Sequence, residues 1–305
     1  MYNQHFGLRE PPFTITPDTS FYFASGSHQD ALNVLLVALR SGEGFIKVVG
    51  EVGTGKTLLC RTLLSALDPR EFETAFIPNP YLEPRTLLLA VADEIDAKFE
   101  GKPNQHQLLR ILTKALVDAY AQKKRVVLCL DEAQAMPTET LEALRLLSNL
   151  ETERRKLLQV VLFGQPELDR RLENPAIRQL QQRISFSCYL SPLAKTDVGH
   201  YLTHRLHVAG YRGPPLFSHK AVKTLYKASG GVPRLVNILA HKSLMAAFGE
   251  GVRHVDTTHA KLAVGDTESA RRIFAGQMTR RAGYLTAILM LFIATAGALV
   301  WGHWL

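Results

Sequence analysis

Cysteine is scarce in this chain: three residues in 305, Cys60, Cys129 and Cys188, set far apart. That excludes a disulfide scaffold and a cysteine-based zinc cluster. An odd number of thiols, two of them inside apolar runs, fits a reducing compartment in which they serve as small core residues. No internal repeat and no low-complexity tract occurs, so the pattern is not that of a repeat array. Charged residues are no more than 21% against 46% hydrophobic, which excludes disorder along the whole chain. The opening MYNQHFGLREPPFTITPD lacks a basic region followed by an apolar stretch and does not read as a secretory signal. The most pointed absence lies at the other end, where Ala282 to Leu305 holds no Asp, Glu, Lys or Arg.

A helix over 282–305 is roughly 36 Å long, enough for a hydrocarbon layer of about 30 Å. Tyr284 stands at its near end and Trp301 and Trp304 at its far end, as interfacial anchors do. A buried core helix would keep a polar face, whereas here Thr286, Thr295 and His303 alone break the apolar run. Arg271, Arg272, Arg280 and Arg281 precede it, and by the positive-inside rule they hold the body of the chain in the cytoplasm, facing anionic lipid. The expectation is an inner-membrane protein with a transmembrane helix at 282–305 behind a basic linker at 269–281. The net charge of +8 permits nucleic acid or an anionic membrane as partner, and these four arginines account for half of it, which makes nucleic acid the weaker choice.

Between the ends, strands and helices alternate. Short apolar runs at Phe45–Val49, Thr74–Ile77, Val126–Leu130, Leu158–Gly164 and Ile184–Leu190 read as strands. Helical spacing appears at His28–Arg40, Lys56–Leu67, Arg85–Phe99 and Gln105–Gln122, and again after Pro137. This is an α/β pattern with a central parallel sheet covered on both faces. After Pro192 helices take over, at about Thr196–Ala209, Ser218–Ala228, Pro233–Phe248 and Asp256–Val264. The sequence thus divides into a core at 1–191 and a helical domain at 192–268.

The chemistry is concentrated at Gly50-Glu51-Val52-Gly53-Thr54-Gly55-Lys56-Thr57, which fits G-x-x-x-x-G-K-[ST] directly after a strand and at the start of a helix. Glycines let such a loop curl so that backbone N–H groups meet phosphate oxygens, and the helix N-terminus adds partial positive charge. Lys56 reaches the outer phosphates, and the Thr57 hydroxyl is a ligand for Mg2+. About 75 residues on, Asp131-Glu132 closes the VVLCL strand. Asp131 is placed to hold the magnesium and Glu132 to polarise an attacking water. Gln165, just past the Leu158–Gly164 strand, is placed to touch the γ-phosphate or that water. Arg178 and Arg183 lie five residues apart in NPAIRQLQQRI. On one helix they point roughly 140° apart, so both cannot reach one phosphate. Arg183 is the choice for an arginine finger reaching a neighbouring subunit, with Arg178 as the other candidate. Arg234 follows Gly230-Gly231-Val232-Pro233 in the first turn of a helix, placed to couple the helical domain to the γ-phosphate. His200, His204 and His207 share a helix face but have no acid among them, which reads as a helix face rather than a metal site; His254 and His259 read the same way.

Taken in order, FGL…PPFTITPDTSFYF…H-x-x-ALNVLL, GEVGTGKTLLCR, LDEAQ, ALRLLSNLETE, VVLFGQPELD, LQQRISF and GGVPRLVNILAHKSL resemble the AAA+ ATPases of the general-secretion-pathway protein A type. Within that type the likeness is greatest to members that serve mannose-sensitive haemagglutinin (type IV) pilus biogenesis, and it runs from about residue 1 to about 265. The resemblance implies a P-loop NTPase (AAA+) core of five strands with a C-terminal helical lid, and self-association into a ring, often hexameric, with ATP between subunits. It gives Lys56, Thr57, Asp131 and Glu132 the phosphate-loop, magnesium and water-activating roles, Gln165 and Arg234 the two sensor roles, and Arg183 the finger. It implies partners among inner-membrane pilus or secretion assembly proteins. Two other readings stay open: a nucleic-acid-dependent ATPase of the transposition type, and a nucleotide-gated scaffold with little hydrolysis.

Overall fold

The computed structural model describes residues 2–147 and 156–274. The described residues separate into two compact units, one within 16–191 and the other formed by 2–15 together with 192–274.

The first unit is a five-stranded sheet in the order β2-β3-β4-β1-β5. The strands are β1 (Phe45–Gly50), β2 (Phe72–Ile77), β3 (Arg125–Leu130), β4 (Leu158–Gly164) and β5 (Ile184–Leu190), and each neighbouring pair is parallel. Alternate residues feed two cores. Val126, Leu128 and Leu130 of β3 with Leu158, Val160 and Leu162 of β4 face one layer of helices. Val127 and Cys129 with Val161 and Phe163 face the other. Strands buried on both faces are continuous apolar runs, which is how β3 and β4 read in the sequence. The thiols of Cys60, Cys129 and Cys188 are free and buried.

The helices, in chain order, begin with α1 (Tyr2–Phe6), which belongs to the second unit. α2 (Gly26–Ser41) and α3 (Lys56–Ala66) supply Leu35, Leu39, Leu59 and Leu63 to one face of the sheet. α4 (Pro84–Glu94), α5 (Gln105–Ala121) and α6 (Thr138–Leu147) pack on the other face, as do the short α7 (Glu167–Leu172) and α8 (Arg178–Gln181). Local chemistry sets several boundaries. Asn104 and Gln107 form a reciprocal capping box at the start of α5, and Pro84 occupies the first turn of α4.

The second unit holds α9 (Asp197–Val208), α10 (His219–Ser229), α11 (Pro233–Gly249) and α12 (Thr257–Gly265). Its core is built from residues such as Leu202, Leu206, Leu225, Val236, Leu239 and Leu244. Ser218 caps α10 and Asp256 caps α12. Gly231 is required where it stands: its φ is +79°, and a Cβ there would lie 2.2 Å from the Leu193 carbonyl oxygen.

Four expectations need correction. Residues 1–15, assigned from the sequence to the nucleotide-binding core, belong to the helical unit. The buried Arg205 donates to Pro12 O, Asn237 donates to Thr14 O at 3.1 Å, and Tyr2 Oη bonds His241 Nδ1 at 2.8 Å. The helix read as Arg85–Phe99 stops at Glu94, because Asp96 turns to φ +49° and the chain leaves the helical path. The second strand starts at Phe72, ahead of Thr74. Arg178 and Arg183 do not share a helix, since α8 ends at Gln181 and Arg183 leads into β5. The expected membrane span at 282–305 lies outside the described residues; among the described residues no helix is long and apolar enough to cross a membrane.

Candidate nucleotide site

In a parallel sheet all carboxyl ends lie on one side, and ligands gather where the strand order reverses. Here β1 emerges between β4 and β5, and the next strand in the chain, β2, lies at the far edge. The loop 50–57 leaves the carboxyl end of β1, flanked by the ends of β4 and β5. Gly53 and Gly55 adopt φ of +81° and +101°, conformations that a side chain resists. Gly50 is equally constrained: a Cβ would stand 2.7 Å from Thr54 Oγ1 and 3.0 Å from Leu190 Cβ.

The loop is tightly held. Thr54 is fully buried, and its hydroxyl donates to Glu51 O at 2.8 Å. Lys56 is 5% exposed, and its ammonium donates to Gly50 O at 2.8 Å and Glu51 O at 3.0 Å. Burial pulls its pKa down, while Glu132, Asp131, Glu51 and Glu167 pull it back up. Across the end of β4, the Thr57 hydroxyl donates to Asp131 Oδ2 at 2.5 Å. Asp131 is 2% exposed and also accepts from the Glu132 N–H at 2.9 Å. Burial raises its pKa; the bonds from Thr57 and Glu132 and the charge of Lys56 work the other way.

This donor set fits the groups expected. A buried carboxylate beside a hydroxyl offers two hard oxygens of the kind Mg2+ takes. A buried ammonium over a glycine-lined curl, at the N-terminus of α3, suits phosphate oxygens.

A second cluster faces the first. Glu132 sits at φ +53°, and its Oε2 accepts from Gln165 Nε2 at 3.1 Å and from Gln134 Nε2 at 2.5 Å. The Gln134 side-chain oxygen accepts from the Gln165 backbone N–H at 3.0 Å, and the Gln134 carbonyl accepts from Arg171 at 2.7 Å. A Cβ on Gly164 would stand 2.7 Å from Leu168 Cδ2 and 3.3 Å from Gln134 Oε1, so the glycine makes room first for Leu168 and also for that amide at the end of β4.

The structure therefore brings Lys56, Thr57, Asp131, Glu132 and Gln165 together at the carboxyl ends of β1, β3 and β4. Arg183 is half-buried immediately before β5, and Arg178 is exposed at the start of α8. Arg234 is exposed in the first turn of α11, in the other unit. The histidines of α9 belong to no metal group: among the described residues no cluster of three or more metal-ligating side chains occurs. His259 is instead part of the cap of α12, bonded to Asp256 and Glu250.

Two participants were not assigned from the sequence. Gln134 stood in view within LDEAQ, two residues after Glu132, but nothing in its spacing marks it as the bridge to Gln165. His28 is buried in α2, with its Nε2 2.7 Å from Thr54 O and its Nδ1 2.8 Å from Ser25 Oγ.

A family model described as an AAA domain matches residues 39–172. General secretion pathway protein A of Aeromonas hydrophila is 41% identical over 304 residues, covering 100% of this chain and 54% of that protein. The chain thus spans about half the length of that relative. Among solved structures, the ORC2 protein of Aeropyrum pernix in ADPNP–ADP complexes matches with a TM-score of 0.61 at 18% identity, over 83% of this chain and 72% of that one. Drosophila ORC bound to DNA matches with 0.62 at 20%, over 84% and 64%. The RuvB Holliday junction branch migration motor of Thermotoga maritima matches with 0.53 at 16%, over 78% and 67%. At those identities the solved structures speak for the fold alone.

Proposed function

We propose, proceeding from the premise that the chain belongs to the AAA+ family of general secretion pathway protein A, that it hydrolyses ATP at the cytoplasmic face of the inner membrane. In this reading 282–305 tether it there, and turnover supports assembly of a secretion or type IV pilus machine. The observation that carries the enzymatic part is the pairing of Thr57 with Asp131 beside a buried Lys56, with Glu132 poised on Gln165. The secretion part draws on the relative's name, and the tether on the uncharged tail.

The residues divide the work as follows. Lys56 exchanges its two carbonyl partners for phosphate oxygens. Thr57 and Asp131 are the oxygens that would hold Mg2+, which when bound offsets the negative charge of the phosphates. Glu132 accepts the proton of the attacking water as the new P–O bond forms and the bond to ADP breaks. Gln165 orients that water or the γ-phosphate. Arg183 is the finger we assign to a neighbouring copy in a ring, and Arg234 the sensor carried by the helical unit, which acts as the lid.

The test is turnover by the full-length chain with Mg-ATP, compared with Lys56→Ala. Loss in the variant is expected; an unchanged rate overturns the enzymatic reading. A Glu132→Gln chain isolated from membranes with ATP should bring inner-membrane assembly proteins with it, and their absence removes the assembly part. Single-turnover hydrolysis separates this reading from a nucleotide-gated scaffold. A second reading, a nucleic-acid-dependent ATPase, rests on Lys98, Lys102, Arg110 and Lys114 around a cavity of about 620 Å3. Salt-sensitive DNA binding by the full chain favours it.

A further inference from the structure

The phosphate loop is tied at its apex to a helix that precedes it in the chain. His28 lies in the first turn of α2, with one ring nitrogen on Thr54 O and the other on Ser25 Oγ. A carbonyl oxygen only accepts, so Nε2 carries the proton and Nδ1 accepts from the Ser25 hydroxyl. Burial lowers the pKa of His28, in keeping with a neutral ring bearing a single proton. Ser25 is itself buried, so the serine fixes the tautomer that the loop requires.

The peptide unit joining Thr54 to Gly55 is trans and planar, so its C=O and N–H point in opposite directions. With the carbonyl turned onto His28, the Gly55 N–H points away from the imidazole. Nothing in the backbone itself enforces this. Gly55 is the residue type that tolerates either sense of rotation, and it sits at φ +101°. A loop that must be glycine to curl is also free to turn this peptide over, unless something outside the loop holds it. The Thr54 hydroxyl fixes the side chain on Glu51 O; His28 fixes the carbonyl. The imidazole also packs on the glycine, since a Cβ on Gly55 would lie 3.1 Å from His28 Nε2.

We propose that His28 is a positioning residue of the nucleotide site: by holding the Thr54 carbonyl it presets the Gly55 N–H as a donor to a phosphate oxygen of a nucleoside di- or triphosphate. This rests on the reading of 50–57 as a nucleotide loop. Preset donors bind more tightly because the ordering is done before the ligand arrives.

The test is calorimetric titration of the full-length chain with Mg-ATP. His28→Met keeps the bulk and loses the donor; its Kd should rise about fivefold to tenfold. His28→Gln places an amide N–H near the position of Nε2 and should bind within about twofold of the wild type. A Met variant that binds like the wild type overturns the proposal, and so does a Gln variant as weak as Met, because then bulk or shape rather than the donated hydrogen bond matters. Should His28→Met fail to fold, Ser25→Ala serves instead. It should weaken binding about threefold by freeing the tautomer, and an unchanged Kd overturns the proposal. A wild-type chain that takes up no ATP sinks the nucleotide-site reading itself, a result distinct from any of these.

Discussion

The two halves of the site are built differently. On the phosphate side, the buried Lys56 is held by backbone carbonyls within the loop 50–57, and the half-buried Thr57 donates to the buried Asp131 at the end of β3. On the water side, Glu132, Gln134 and Gln165 are half-buried and hold one another through side-chain amides, drawn from the ends of two strands. The first half is a shape: eight consecutive residues that curl at Gly53 and Gly55, closed by Asp131 on Thr57. The second is a network, in which the position of the Glu132 carboxylate depends on two glutamines, one of them 33 residues away. Binding belongs to the shape and turnover to the network, so substitutions in the two halves should separate in kinetics.

Lys56→Ala gives the largest effect. It removes the buried cation from the phosphate side, and turnover should fall by about a thousandfold with affinity for ATP falling as well. Steady-state hydrolysis and calorimetry read both. Glu132→Gln comes next. It removes the group that takes the proton, so kcat should fall about a hundredfold while Kd for ATP holds. If Kd shifts as strongly as kcat, the two halves are not separate. Gln134→Leu is smaller and sharper. It leaves Glu132 in place with Gln165 as its remaining amide partner, so kcat should drop about tenfold at unchanged Kd. A Gln134→Leu enzyme with wild-type kcat would show that the network is packing rather than positioning.

What could be read from the sequence follows the same division. The loop 50–57 and the acid pair after VVLCL are contiguous, so their chemistry shows in residue order. The strands β3 and β4 are buried on both faces, so their apolar runs are unbroken and their ends were placed to within a residue. The partnership of Gln134 with Gln165 was not legible, because it depends on how closely the ends of β3 and β4 approach at Gly164. His28 was hidden for a similar reason: at the start of an amphipathic helix it looks like one more residue, and only the tertiary fold turns it onto Thr54. The place of the N-terminal segment does not show in residue order, because its anchors, Arg205, Asn237 and His241, lie about 190 residues or more further on. The polar run RQLQQR carries no stop signal, so residue order does not show that α8 ends at Gln181 and leaves Arg183 outside the helix of Arg178.

Asp131 belongs to the phosphate side by burial and shows most directly what that side costs. Its carboxylate is 2% exposed, and burial raises its pKa. A raised carboxyl pKa means that the folded chain binds a proton more readily than the unfolded one, so the ionised group opposes folding. The penalty is complete above the folded pKa and disappears below the unfolded value near 4. Asp131→Asn removes the charge and keeps the contacts: the amide oxygen accepts from the Glu132 N–H, and the amide nitrogen meets the Thr57 hydroxyl oxygen. Without nucleotide, the variant should therefore melt on the order of a few degrees above the wild type at neutral pH. The gap should close on acidification, as protonation does for Asp131 what the substitution does permanently. Adding Mg-ATP should reverse the order, because the wild type alone has the anionic oxygen that holds the metal and so gains the larger stabilisation from ligand binding. An Asn variant that melts below the wild type at every pH would mean that the Thr57 and Lys56 contacts outweigh the burial, and the phosphate side would then be a region that stabilises the fold rather than one that strains it.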